Sequence, residues 1–355
     1  MSTTSVIDSA KVEAFVGRVM GDSSAAFVTT LAALGDRLGL FKTLASGGAA
    51  TSSEFAGRAG INERYAREWL GGMVTAGYLT HDPDTGRFAL PAEHAPALAE
   101  EGGPFFFGGA YQMLLALAKI HDPLTDAFRH GGGVPQSAYD ERFWGGMERF
   151  TAGWFNNLLL QEWLPAMPDV QARLARGAEL ADVGCGRGRA LVRLAEAFPA
   201  SRFVGYDVFA PSIEIARTRA AEAGVGDRLQ FEIGDVGEGL SRQFDLITTF
   251  DVVHDARDPV GLMRSIREGL RHDGIYVCLD TNCSATLEEN SGPLGSLFHG
   301  ISVLYCMTTS LANGGAGLGT LGLHEHRLRE YAGVAGFRDV RRAFQDPFNN
   351  LYELR

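Results

Sequence analysis

A chain of 355 residues with 45% hydrophobic and 21% charged side chains has material for two domains, each with its own core. A formal net charge of −11 argues against nucleic acid as the main partner, because phosphate binding needs a basic face. Four cysteines without a C-x-x-C pair argue against disulfide scaffolds and for a reducing, cytoplasmic setting, while no secretory signal and no apolar run near the ~20 residues of a membrane span is evident.

Residues 1–100 read as helices followed by a hairpin. Phe27, Leu31, Leu34 and Leu38 recur at steps of three and four, which predicts a helix over Ser24–Leu40. Thr51-Ser-Ser-Glu54 is a capping box that opens a short helix. Asn62 is placed to cap a second helix running to about Ala76. Tyr78–His81 and Arg87–Leu90 then flank Asp82-Pro-Asp-Thr-Gly86, built from the usual turn residues. Helix, turn, helix and hairpin in that order read as a winged helix. A DNA-reading version should be basic at the exposed start of its second helix. Here Glu54, Glu63 and Glu68 offset Arg58, Arg64 and Arg67, which favours a role in dimerisation or in covering a substrate.

Residues 101–175 form a helical bridge, broken at Gly131-Gly-Gly133, with an aromatic series of Phe143, Trp144, Phe150, Trp154, Phe155 and Trp163. Such rings pack between helices by default; around a bound sulfonium they would add cation–π attraction. From residue 176 to 355 the pattern alternates strands and helices. Strands are expected at Ala178–Val183, Arg202–Tyr206, Arg228–Ile233, Phe244–Phe250 and Gly274–Leu279, which implies a parallel α/β sheet. The end differs. Arg338–Phe344 and Asn350–Leu354 are separated only by Gln345–Asn349, too short for a parallel crossover, so the last strand should run antiparallel.

The segment Glu179–Gly188, ELADVGCGRG, is a strand ending in an acid and then three alternating glycines. The nicotinamide fingerprint G-x-G-x-x-G would need glycine where Arg189 stands. Asp182, just before the turn, is poor company for a pyrophosphate and a good partner for an ammonium. S-adenosylmethionine offers an ammonium and no phosphate. Asp207 ends the next strand, where a carboxylate can accept both ribose hydroxyls. Asp235 follows the strand after that, placed to accept from an adenine amino group. All three acids lie in order at the C-terminal ends of successive strands, the edge where open sheets bind ligands.

The order of these motifs, with the terminal hairpin, resembles class I S-adenosylmethionine-dependent methyltransferases, whose sheet is Rossmann-like and seven-stranded. The front resembles the winged-helix dimerisation domain of small-molecule O-methyltransferases. By that resemblance Asp182, Gly184, Gly186 and Gly188 hold the methionine part, Asp207 the ribose, and Asp235 with Val236 the adenine, with Phe250 also counted in the cofactor set. The resemblance further implies a homodimer and a small-molecule acceptor.

After the fourth strand, FDLITTFDVVHDARDP places His254 and Asp255 on the edge that carries the cofactor acids. Transfer to oxygen requires an acceptor proton to leave, and a histidine is suited to take it. In the O-methyltransferases the equivalent pair supplies the general base, so His254 and Asp255 are the catalytic candidates and no metal is expected. Two alternatives stay open. His254, Asp255 and His299 would make a facial triad for iron, as in a similar subgroup of bacterial C-methyltransferases acting on α-keto acids. A cofactor-sensing regulator would instead use the winged helix on DNA. The long insert Thr281–His326, with Asn313-Gly-Gly-Ala-Gly-Leu-Gly319, reads either as a lid or as a disordered loop.

Overall fold

The computed structural model of the chain describes residues 7–355, which fall into two compact units. The first takes the described residues up to Ala116 and adds Glu141–Gly153; the second takes Leu117–Asp140 and Trp154–Arg355. Residues 101–175 are therefore divided between the two.

The first unit opens with a long helix, Ser9–Arg37, which begins well before the expected Ser24. Asp8 caps it, its carboxylate accepting from the backbone N–H groups of Ala10 and Lys11. Val12, Phe15, Val16, Val19 and Met20 continue the three-and-four spacing toward the N-terminus, and all are exposed. Helices Ser52–Ala59 and Glu63–Thr75 follow with the expected caps: Thr51 and Glu54 form the full capping box, and Asn62 accepts from Arg64 N–H. The wing is β1 (Thr80–Asp82) paired antiparallel with β2 (Arg87–Ala89), Thr80 opposite Ala89. Phe41 and Phe55 pack on Trp69 at ring distances of 5.1 and 5.9 Å, over buried Leu70 and Met73. The indole N–H of Trp69 donates to the Leu31 carbonyl at 2.8 Å, which ties the second helical hairpin to the long helix.

The second unit is built on seven strands: β3 (Glu179–Val183), β4 (Arg202–Asp207), β5 (Leu229–Ile233), β6 (Phe244–Phe250), β7 (Leu270–Thr281), β8 (Val340–Gln345) and β9 (Asn349–Leu354). Their order across the sheet is β5-β4-β3-β6-β7-β9-β8. The first five are parallel, and β9 runs antiparallel between β7 and β8, as the short final connection requires. The chain moves outward from β3 through β4 and β5, then returns to place β6 on the other side of β3. That reversal leaves a crevice beyond the carboxyl ends of β3 and β6. β3 and β6 are mostly buried because both faces of the sheet are covered, one by a core around Trp163, Leu191 and Ile213, the other by a core around Met263, Ile266 and Leu328.

The insert after β7 is ordered. Helices Gly292–Ile301 and Met307–Ala312 join through a wider π-type turn at Ser302–Cys306 and continue into a glycine-rich return that packs on the second unit. The stretch Gly292–Ala312 is, by length and composition, apolar enough to cross a membrane, contrary to the expectation that no such run exists. Polar side chains of its second half face protein: the Thr308 hydroxyl accepts from Val134 N–H at 2.9 Å, and Ser310 donates to the Ala256 carbonyl at 3.1 Å. The glycine break of the bridge belongs to this contact, because a side chain on Gly133 would run into the Thr308 carbonyl.

Candidate active site

At the end of β3 the chain turns through Gly184, Gly186 and Gly188, all at positive φ, before helix Arg189–Ala197. Two of these glycines are also forced by space. A Cβ on Gly184 would sit 2.5 Å from the Val252 side chain, and one on Gly188 the same distance from the Phe231 ring. The turn is drawn tight by the neighbouring strand: Gly184 and Cys185 N–H both donate to the Tyr206 carbonyl, at 2.8 and 3.0 Å.

Asp182 is buried beneath this turn and accepts from the Thr248 hydroxyl of β6 at 2.6 Å. Burial pushes its carboxyl up to about 7, against the pull of that hydroxyl and with the charge of Asp207 adding. An incoming ammonium would meet a carboxyl poised to ionise. Asp207 closes β4 with both oxygens engaged by backbone, accepting from Gly186 N–H and Phe209 N–H at 2.8 Å each. Burial raises its proton affinity and those N–H groups oppose the rise. Asp207 thus shapes the glycine turn as well as facing the cofactor crevice. Asp235 caps the turn Val236–Glu238 by accepting from Gly237 N–H at 2.8 Å, and Val236 is buried behind it. Phe250, the last residue of β6, belongs to a ring cluster with Phe155 at 5.3 Å and Trp163 at 6.1 Å.

Two exposed apolar residues missed by sequence reasoning flank the acids. Val208 follows Asp207 and Ile233 precedes Gly234-Asp235, and the chain segments touch where Gly234 N–H donates to the Asp207 carbonyl at 3.1 Å. Apolar side chains left open beside a strand-end acid are of the kind that can cover the faces of a planar ring.

His254 lies in a tight turn, Val253–Asp255, that follows β6. It is 3% exposed, and an acid lies against each ring nitrogen. Nδ1 lies 2.7 Å from an oxygen of Asp280, near the end of β7, and Nε2 lies 3.2 Å from Asp255. Burial opposes protonation of the ring, but Asp280 and Asp255 outweigh it and raise its proton affinity well above the ordinary value of 6.5. Asp280 was not singled out from sequence. It is buried, and its second oxygen has no hydrogen-bond partner. Cys306, from the insert, closes the other side: His254, Asp255 and Cys306 bring their polar atoms within 4.8 Å of one another, as do Asp251, His254 and Asp280. Burial pushes the Cys306 thiol up to about 12, so it stays protonated.

His299 does not join this group. It is exposed on helix Gly292–Ile301, and among the described residues it belongs to no metal-capable cluster. The iron triad of His254, Asp255 and His299 is therefore not assembled. In the aromatic series, Phe143 and Trp163 are fully buried, so their faces serve packing.

Residues 26–100 match the family described as Rv2258c-like winged HTH domain, and residues 174–328 match the family described as Methyltransferase domain. The methyltransferase ungE' of Aspergillus campestris is 37% identical over 78 residues, 21% of this chain and 23% of that protein. The chain spans about a quarter of the length of such curated relatives. Its fold extends over whole solved structures. The mitomycin 7-O-methyltransferase MmcR superposes with a TM-score of 0.69 at 20% identity, covering 98% of this chain and 100% of that one. Human N-acetylserotonin methyltransferase in complex with SAM does so at 0.69 and 17%, covering 100% and 99%.

Proposed function

From a chain that joins a winged-helix domain to a class I methyltransferase domain, we propose an S-adenosylmethionine-dependent enzyme that methylates a small molecule. The observation that carries this reading is the alignment of Asp182, Asp207 and Asp235 at the strand ends around a glycine turn, in a chain without the third glycine of the nicotinamide fingerprint. Transfer is direct displacement at the sulfonium methyl, with much of the rate coming from positioning. His254 takes the acceptor proton, held in register by Asp280 and flanked by Asp255. Calorimetric titration tests the cofactor: S-adenosylhomocysteine should bind and NAD should not. Because the ammonium needs Asp182 ionised, affinity should fall as pH drops below about 7. Binding of NAD alone would overturn the assignment.

The acceptor reading also covers partners. The winged-helix arginines are spent on acids, Arg64 with Glu68, Arg67 with Glu63 and Arg87 with Glu54, which leaves little for phosphate. Four free cysteines fit a reducing cytoplasm. The partner of the first unit is a second copy of the chain. Phe15, Met20 and Phe27 are 66%, 68% and 74% exposed on helix Ser9–Arg37, an apolar run that a lone subunit leaves in water. Light scattering should give a dimer, and Phe15→Asp with Met20→Asp should give a monomer that still binds S-adenosylhomocysteine. A monomeric wild type would end the dimer proposal.

A further inference from the structure

The turn that carries His254 has little structure of its own: one 3₁₀ turn between β6 and helix Pro259–Gly269. A base must nevertheless be held within a fraction of an ångström to accept a proton during transfer. Three of the four carbonyls of residues 254–257 are each bound by the insert after β7. Gly319 N–H donates to the His254 carbonyl at 3.2 Å, the Ser310 hydroxyl to the Ala256 carbonyl at 3.1 Å, and Ala316 N–H to the Arg257 carbonyl at 2.9 Å. Only the carbonyl of Asp255 is left out of the series.

Ser310 is the hub. While its hydroxyl donates to Ala256, it accepts from Gly317 N–H at 3.2 Å, and its own carbonyl accepts from Gly315 N–H at 2.9 Å. One side chain thus fixes both the loop and the return strand that grips it. The same helical face carries Cys306 and Ser302 at steps of four. Cys306 faces the His254–Asp255 pair, and Ser302 accepts from Thr320 N–H at 3.2 Å. The glycines of the return are required by proximity. A Cβ on Gly315 would lie 2.7 Å from the Cα of Arg257, and Gly319, at φ +72°, faces the Ser302 hydroxyl where a side chain would collide.

We propose that Ser310 and the glycine return Gly314–Gly319 are a clamp that fixes the backbone of residues 254–257 and thereby aims the His254 ring. Ser310 is a positioning residue, and the role of the ring it aims rests on the reading of His254 as proton acceptor. The groups facing that ring are Asp251 and Asp255 from its own loop, Asp280 and Cys283 from the end of β7, and Cys306 from the insert. Loosening the clamp moves the ring relative to all five.

Hydrogen exchange on the full-length protein, with and without S-adenosylhomocysteine, tests the clamp without need of an acceptor. Ser310→Ala should speed exchange roughly tenfold in peptides covering 253–257 and 314–320, the scale of one lost hydrogen bond, while β3 and β4 exchange as in the wild type. The His254 imidazole, followed by NMR, should titrate at a lower pH as the ring slips from Asp280 and Asp255. A merely structural contact would leave that midpoint in place. Ser310→Thr, which keeps the hydroxyl, should restore both readouts. If Ser310→Ala does not fold, Gly315→Ala, whose Cβ would lie 2.7 Å from the Arg257 Cα and from the Ser310 hydroxyl alike, strains the same contact and decides by the same two readouts. Unchanged exchange at 253–257 together with a wild-type midpoint overturns the clamp. Failure to bind S-adenosylhomocysteine would instead strike the function reading, since exchange of the unliganded protein still reports on the loop.

Discussion

His254→Ala is expected to lose roughly 10²–10⁴-fold in turnover, the usual scale for a lost general base, while binding S-adenosylhomocysteine as tightly as the wild type. The two properties separate because the ring lies on the loop after β6, whereas the cofactor acids close β3, β4 and β5. The pH profile carries more information than the loss itself. In the free protein Asp280 and Asp255 keep the imidazole protonated beyond its ordinary 6.5, and a protonated ring accepts nothing. The acid limb of kcat/KM, which reports the free enzyme, should therefore lie on the alkaline side of 6.5, with the rate rising as pH climbs through the raised value. Asp280→Asn should shift that limb toward acid, since it removes the charge nearest the ring. A limb at or below the ordinary value, or full activity in His254→Ala, would exclude the ring as the base. Chelators should have no effect. Stoichiometric metal in the purified protein, with activity lost on its removal, would reassign His254, Asp255 and Cys306 as ligands.

Asp207→Ala should weaken S-adenosylhomocysteine binding by about 1.5–3 kcal/mol from the lost ribose contacts alone, the scale for hydrogen bonds to a charged group. A larger loss is expected here, because the same carboxylate anchors Gly186 N–H and Phe209 N–H. Asp207→Asn separates the two contributions. Its amide keeps one acceptor oxygen, so the glycine turn holds part of its shape while one ribose contact is lost. The asparagine variant should therefore bind between wild type and alanine in a calorimetric titration. Equal affinity for all three proteins would remove Asp207 from the cofactor site.

The strands of the second unit were readable because most carry a short stretch rich in apolar residues bounded by turn residues, and local pattern suffices for that. The candidate acids were placed at the sheet edge for the same reason: Asp182 and Asp207 lie at the ends of β3 and β4, and Asp235 just after β5. What escaped is what only the sheet brings together. Thr248 meets Asp182 across a separation of 66 residues, Asp280 meets His254 across 26, and no spacing rule links them. Sequence left open whether His299 joined His254 and Asp255 and assigned Cys306 no role, because composition does not say which face of that helix turns inward. The early start of the first helix did have a signal, Asp8 followed by Val12, Phe15, Val16 and Val19. It was passed over because a helix reading that seeks a buried stripe undervalues one that stays exposed within a single subunit.

Strand β7 is the seam of the sheet, parallel to β6 on one side and antiparallel to β9 on the other, and Asp280 stands near its end. The acid beside His254 is therefore set in a strand paired on both sides, while the segment that grips the loop begins only after the ladder has ended. A change of length or composition between Asn282 and Ser302 leaves every rung of that ladder intact. On the reading of His254 as proton acceptor, one segment after β7 can therefore vary without moving Asp280, provided that Cys283 at its near end and Ser310 with the glycines at its far end stay in place.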